Sequence, residues 1–272
     1  MRTALMLWTL LACLVVGERA AMAECTLREV LRFANPNLSM IVKGEVQHAG
    51  PMSGRTSPLG ELELLSHQLR EVSEPLRQDL RSHTARVYTM RFPEGQLVVA
   101  ELTAALPSSL EDQLTALPNM RVLTPSPACH VVLYSASRPL VEASARGPAA
   151  PPRWLDGGQA MSSAPYWASL QVDGNPATQR RLTSFVPGIP QIDTNVFSGA
   201  HLEASFDGDA TAHARVRCEP RGCALVRSIL SAQQRRLFPN TTPSITMSNG
   251  AVDLTLGATA VDDVVRVVRS FR

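Results

Sequence analysis

The chain has almost no charge of one sign to spare. It holds 26 Lys and Arg against 24 Asp and Glu, for a formal net charge of +2. That balance excludes the broad electrostatic attraction on which non-specific binding to nucleic acid or anionic lipid depends. Lysine is nearly missing: Lys43 is the single one, all other basic side chains being arginine, and no functional reading attaches to that. Catalytic signatures are also missing. There is no G-x-S-x-G elbow, since Gly50-Pro51-Met52-Ser53-Gly54 has the wrong spacing, and Ser39 stands four residues from Lys43 rather than three. The six histidines form neither H-x-H nor H-E-x-x-H, and no glycine-rich phosphate loop occurs. Asp207-Gly208-Asp209 lacks the rest of a calcium loop and reads as a turn. No cofactor or metal is implied.

What is present at the start is an address. Arg2 precedes an apolar run from Ala4 to Val16, too short for an ordinary bilayer-spanning helix, and Ala21-Met22-Ala23 supplies an A-x-A pattern before Glu24. A secretory signal over residues 1–23 is therefore expected, giving a periplasmic or secreted protein with no transmembrane span after cleavage. Leu10-Leu11-Ala12-Cys13 offers the alternative of a lipoprotein anchored at Cys13. The mature chain keeps 24 basic and 23 acidic residues, and its 44% hydrophobic content suits a folded protein.

Four cysteines remain after cleavage, an even number in an oxidising compartment. Cys218-Glu-Pro-Arg-Gly-Cys223 contains turn residues that let its two sulfurs meet, and Cys25 then pairs with Cys129 by elimination. The competing reading joins Cys218 and Cys223 to His213 and His201 as a metal site, on a weak C-x4-C signal.

The fold class expected is α/β (α+β), with two small βαββ-type modules. A helical region spans 24–82, with Leu27, Val30, Leu31 and Ala34 at helical spacing, a short strand at Leu38 to Val42, a loop at Gly50 to Pro58 and an amphipathic helix from Leu59 to Arg81 bent at Pro75. The first module occupies 83–146. Arg86 to Phe92 reads as a strand, Gln96 to Leu106 as a helix, Pro107 to Pro118 as an insertion, Met120 to Thr124 and His130 to Ser135 as strands, and Pro139 to Ala145 as a helix. A Pro/Gly-rich linker follows at 147–195. It carries Trp154, Tyr166 and Trp167, which either form a ligand or partner surface or pack back onto a domain. The second module, 196–272, has strands at His201 to Phe206 and Ala212 to Cys218, then a helix over Leu225 to Leu237. A hairpin, Ser244 to Met247 and Ala251 to Leu256, turns at Ser248-Asn249-Gly250. Thr259 to Phe271 carries a capping-box start and a valine face and closes the module as a helix.

Two stretches resemble a known family. Arg86-Val-Tyr-Thr-Met-Arg-Phe-Pro-Glu-Gly-Gln-Leu-Val-Val-Ala-Glu-Leu, with Arg121-Val-Leu-Thr and His130-Val-Val-Leu-Tyr-Ser, is similar to the ring-building periplasmic domains of secretins. Gly250-Ala-Val-Asp-Leu-Thr-Leu-Gly-Ala-Thr-Ala-Val-Asp-Asp-Val-Val is similar to the short domain at the N-termini of secretins and TonB-dependent receptors. The resemblance spans about 120 residues and departs from the family in the long Pro107–Pro118 insertion and in the absence of a following barrel region. It implies a non-enzymatic scaffold or accessory protein of a bacterial secretion or envelope assembly. Such a protein works by stacking and strand addition, with machinery proteins or a homo-oligomer as partners, and no catalytic residues come with it. The other expectation is an extracytoplasmic enzyme or small-ligand-binding protein. Its site would lie between the modules, lined by Trp154, Tyr166 and Trp167 with His201 or Asp207 as polar partners.

Overall fold

Ten strands pair side by side in the order β4-β5-β3-β2-β1-β6-β7-β8-β10-β9. They belong to a computed structural model that describes residues 25–46, 73–147, 150–157, 159, 161–171, 201–206, 211–239, 241–248 and 250–257. In chain order the elements are α1 (Leu27–Leu31), β1 (Met40–Glu45), α2 (Glu74–Ser82), β2 (Thr84–Phe92), β3 (Gly95–Leu102), α3 (Ser108–Thr115), β4 (Met120–Ser126), β5 (Cys129–Tyr134), α4 (Arg138–Ala145), a 3-10 turn (Arg153–Gly157), β6 (Tyr166–Gln171), β7 (His201–Phe206), β8 (Thr211–Arg217), α5 (Pro220–Leu237), β9 (Ser244–Ser248) and β10 (Ala251–Gly257). All pairings are antiparallel, and with the helices they make an α+β fold. The signal segment with Cys13, the Gly50–Pro58 loop, residues 59–72 of the expected amphipathic helix, Asp207–Asp209 and the Thr259–Phe271 helix lie outside the described residues.

Helices cover the N-terminal half of the sheet on both faces. On face A, Val30, Leu31, Leu140, Val141 and Leu155 pack on Ile41, Tyr88, Met90, Leu97, Val99, Val131, Leu133 and Trp167. On face B, Leu76 and Leu80 of α2 and Leu110 and Leu114 of α3 pack on Val87, Val98, Ala100, Leu102, Val132 and Tyr134. In the C-terminal half α5 covers face B, setting Cys223 and Val226 against Tyr166, Ala204, Val252, Leu254 and Leu256.

Three expectations change. Gln96–Leu106 is not a helix: residues 95–102 are strand β3, buried over its last six residues. A strand covered on both faces loses the period-two alternation that marks a half-buried strand, and its residues then match helical spacing by chance. The helix of that module is α3, inside the stretch read as an insertion, where Leu110 and Leu114 are the buried i, i+4 pair. The first unit therefore runs strand, strand, helix, strand, strand, helix rather than βαββ. Third, residues 166–171 of the expected linker form β6, which pairs with β1 on one side and β7 on the other. The two halves thus share one sheet. The hairpin turn agrees with its signal: Ser248 faces Ala251 across a two-residue loop, and Gly250 sits at φ 79°.

Candidate functional site

Both cysteine pairs are bonded, Cys25 to Cys129 and Cys218 to Cys223. With their sulfurs joined, Cys218 and Cys223 are not thiolate ligands, and among the described residues no group of three or more His, Cys, Asp or Glu could hold a metal ion. Disulfides persist in oxidising compartments, so the pair of bonds fits an extracytoplasmic protein. Among the described residues no helix is long and apolar enough to cross a membrane.

The three aromatic candidates do not form a surface. Tyr166 and Trp167 are adjacent on β6, so they point to opposite faces, and each is 1% exposed. Tyr166 joins the α5 core and Trp167 the core on face A. Trp154 packs against that second core, and its Nε1 donates to the Leu38 carbonyl at 3.0 Å. Of the two readings, these positions are those of packing back onto the sheet: Tyr166 and Trp167 are interior because β6 is covered on both faces there, and Trp154 is half-buried on the 3-10 turn against the face A core. His201 on β7 is buried as well.

No motif or spacing marked the band of buried charge that crosses face A. Register places Glu101, Arg86, Glu45, Lys43, Trp167, Ser205 and Glu203 on that face. The Glu101 carboxylate is fully buried and receives Arg86 through Nε at 2.8 Å and through Nη2, while its Oε1 also accepts the Cys25 N–H at 2.9 Å. Burial, reinforced by Glu101, pushes the neighbouring Tyr88 phenol well above its ordinary pKa. Lys43 Nζ donates to the Ser162 carbonyl at 2.8 Å and lies 3.6 Å from Glu45; burial lowers its pKa, opposed by Glu45. Glu203, also fully buried, accepts Trp167 Nε1 at 2.8 Å and Met161 N–H at 2.7 Å on one oxygen, while Oε2 has no hydrogen-bond partner among the described residues. Each charge is held by its neighbours, which suits locking strands together more than turnover.

The surface feature with the clearest chemistry is the sheet's pair of edges. At one end, β4 is guarded. Arg121 Nη1 turns back onto the carbonyls of Met120 and Pro118, and its Nη2 lies 3.6 Å from Glu142. Pro125 removes a donor, the pairing with β5 shifts register between Leu123 and Ser126, and Arg32 reaches the Pro125 carbonyl at 3.3 Å. Charge, proline and irregular pairing are the devices that blunt an edge strand. At the other end, β9 reads Ser-Ile-Thr-Met-Ser, with no charge, no proline and no register shift against β10. Its Ser244, Thr246, Met247 and Ser248 are exposed, and among the described residues Met247 is the exposed large apolar side chain, at 49%. An exposed hairpin of this composition had a sequence signal; its position at the end of the sheet had none.

No protein family matches the chain, and no curated protein does. Solved structures align with it at low similarity. Crystal form I of TP0453 aligns with a TM-score of 0.44 at 11% identity, covering 89% of this chain and 97% of that one. Crystal form III of the same protein gives 0.42 at 10%, covering 88% and 97%. A double-ringed trimeric shell protein, MSM0271 from the RMM microcompartment, gives 0.18 at 15%, covering 67% and 83%.

Proposed function

We propose that this chain is a non-enzymatic periplasmic scaffold or accessory protein of a secretion or envelope assembly, acting through protein–protein contacts. The observation that carries the reading is the contrast between the two sheet edges. A protein with one edge guarded and the other uncharged and exposed is built to accept a strand at a single place, since unpaired N–H and C=O groups there are a template for β-augmentation. Two disulfides and a buried ionic band supply the rigidity a scaffold needs. The resemblance of the Gly250–Val265 stretch to the short domain at secretin N-termini supports envelope machinery as the setting. The test is cross-linking in intact cells with a photoreactive residue at Met247, followed by identification of the adducts. Adducts with envelope or secretion proteins, or with a second copy, support the reading. An uncross-linked monomer alone would overturn it.

A further inference from the structure

We infer that β9 pairs with β9 of a second copy, antiparallel about a two-fold axis through Thr246, to form a dimer with a continuous sheet across both subunits. This deepens the scaffold reading above by naming the partner at its open edge.

The strand is self-complementary. Ser244-Ile245-Thr246-Met247-Ser248 is a palindrome of side-chain character: hydroxyl, apolar, hydroxyl, apolar, hydroxyl. Antiparallel pairing centred on Thr246 sets Ile245 opposite Met247 of the second copy, Ser244 opposite Ser248, and Thr246 opposite itself. No like charges meet, which is the usual obstacle to a strand pairing with its own copy. Faces also match. Ile245 packs against the α5 core on face B, and Met247 lies on the same face two residues on, so pairing extends the apolar layer across the axis and covers Met247. Thr–Thr and Ser–Ser pairs fall on face A, where hydroxyls across strands are favourable neighbours.

Backbone phase agrees. A two-residue hairpin loop closes on a hydrogen-bonded pair, here Ser248 with Ala251, so Ser248, Thr246 and Ser244 direct their N–H and C=O toward β10. Ile245 and Met247 therefore turn theirs outward. In the proposed register these two residues exchange bonds with Met247 and Ile245 of the second copy, and Thr246 becomes a non-hydrogen-bonded pair with the closer side-chain approach. A strand of this length buries less area than the roughly 1,200 Å² of a standard stable interface, so association is weak and concentration-dependent.

The register is testable by engineered cysteines in the mature chain, whose natural cysteines are all buried in disulfides. At the axis, the Cα atoms of a non-hydrogen-bonded pair lie about 4.5 Å apart, within disulfide reach. Thr246→Cys is expected to give a reducible dimer under mild oxidation. Ser244→Cys alone should not, since the two copies of residue 244 lie about 14 Å apart along the strands, whereas mixing Ser244→Cys with Ser248→Cys should give the mixed dimer. Sedimentation of the unmodified chain should show dimer growing with concentration. Thr246→Lys, which sets like charges face to face, should keep the chain monomeric, with its unfolding midpoint equal to that of the unmodified chain at dilutions where both are monomers. Equal cross-linking of Thr246→Cys and Ser244→Cys, or a monomer at every concentration, overturns the inference. Envelope proteins captured at Met247 by a chain that sediments only as monomer would leave the scaffold reading standing and remove the dimer.

Discussion

Glu203 shows how little freedom the buried charges have. Its Oε1 is the acceptor for both Trp167 Nε1 and Met161 N–H, so Glu203→Ala strands two donors in the interior. Each bond to a charged group is worth about 1.5–3 kcal/mol, and an unmet buried donor costs about 1–3 kcal/mol. A loss of roughly 3 kcal/mol in urea unfolding is expected, with a red-shifted Trp167 emission; Glu203→Gln keeps the acceptor and should cost less. For Arg86, removing the guanidinium by Arg86→Met leaves the Glu101 carboxylate buried with the Cys25 N–H, a change in the range of about 3–5 kcal/mol for breaking a buried pair. Lys43 gives a pH signature. Its folded pKa is lowered by burial, so between that value and the unfolded one the unfolded chain binds more protons, and stability rises with pH through the window. Lys43→Met should flatten that rise. The comparison belongs below pH of about 10, because above it the raised Tyr88 phenol works in the opposite direction, its unfolded form ionising first.

At the scale of elements, sequence pattern spoke clearly where one face of an element meets solvent. Hairpin β9–β10 and helix α4 fell close to where alternation, turn residues and helical spacing put them. It failed for β3, whose Val98, Val99 and Ala100 are buried on alternate faces, because burial on both sides erases the period. The cysteines were readable for another reason: a short turn and an even count leave few pairings, and both expected bonds are present. The charge band was not readable, since Arg86 and Glu101 are brought together by register across a hairpin whose second strand looked helical. The two disulfides should differ in effect. The Cys25–Cys129 bond spans 104 residues and Cys218–Cys223 spans 5, and in the chain-entropy account these correspond to about 4.7 and about 2 kcal/mol. Cys129→Ser paired with Cys25→Ser is therefore expected to lower the unfolding midpoint more than the matched Cys218/Cys223 pair, a ranking that denaturant curves on both double variants would test. The first bond also fixes α1, whose Thr26–Glu29 capping box closes the helix start. Thr26→Ala should cost about 1 kcal/mol.

For the whole molecule, β6 decides whether the halves behave as one body. A Pro-rich stretch predicted a linker, but its strand residues Tyr166 to Gln171 lie in register with Met40–Gly44 on one side and His201–Phe206 on the other. The side chains follow suit: Trp167 completes the N-terminal core on face A, while Tyr166 completes the α5 core on face B. One strand thus supplies a large buried aromatic to each half, and neither core is whole without it. Unfolding should accordingly be a single transition, with Trp167 fluorescence and far-UV dichroism coincident along the urea axis. Ala168→Pro tests the coupling directly. Ala168 sits at the centre of β6, paired with Val42 and Ala204, and proline there deletes a ladder donor in a strand bonded on both sides, a position sheets exclude proline from. Hydrogen exchange would follow β2–β3 and β8–β10 separately. Loss of protection in both, in step, is the expected outcome. If β8–β10 opened while β2–β3 kept its protection, the chain would be two bodies joined through a strand, and the edge at β9 would report only on its own half.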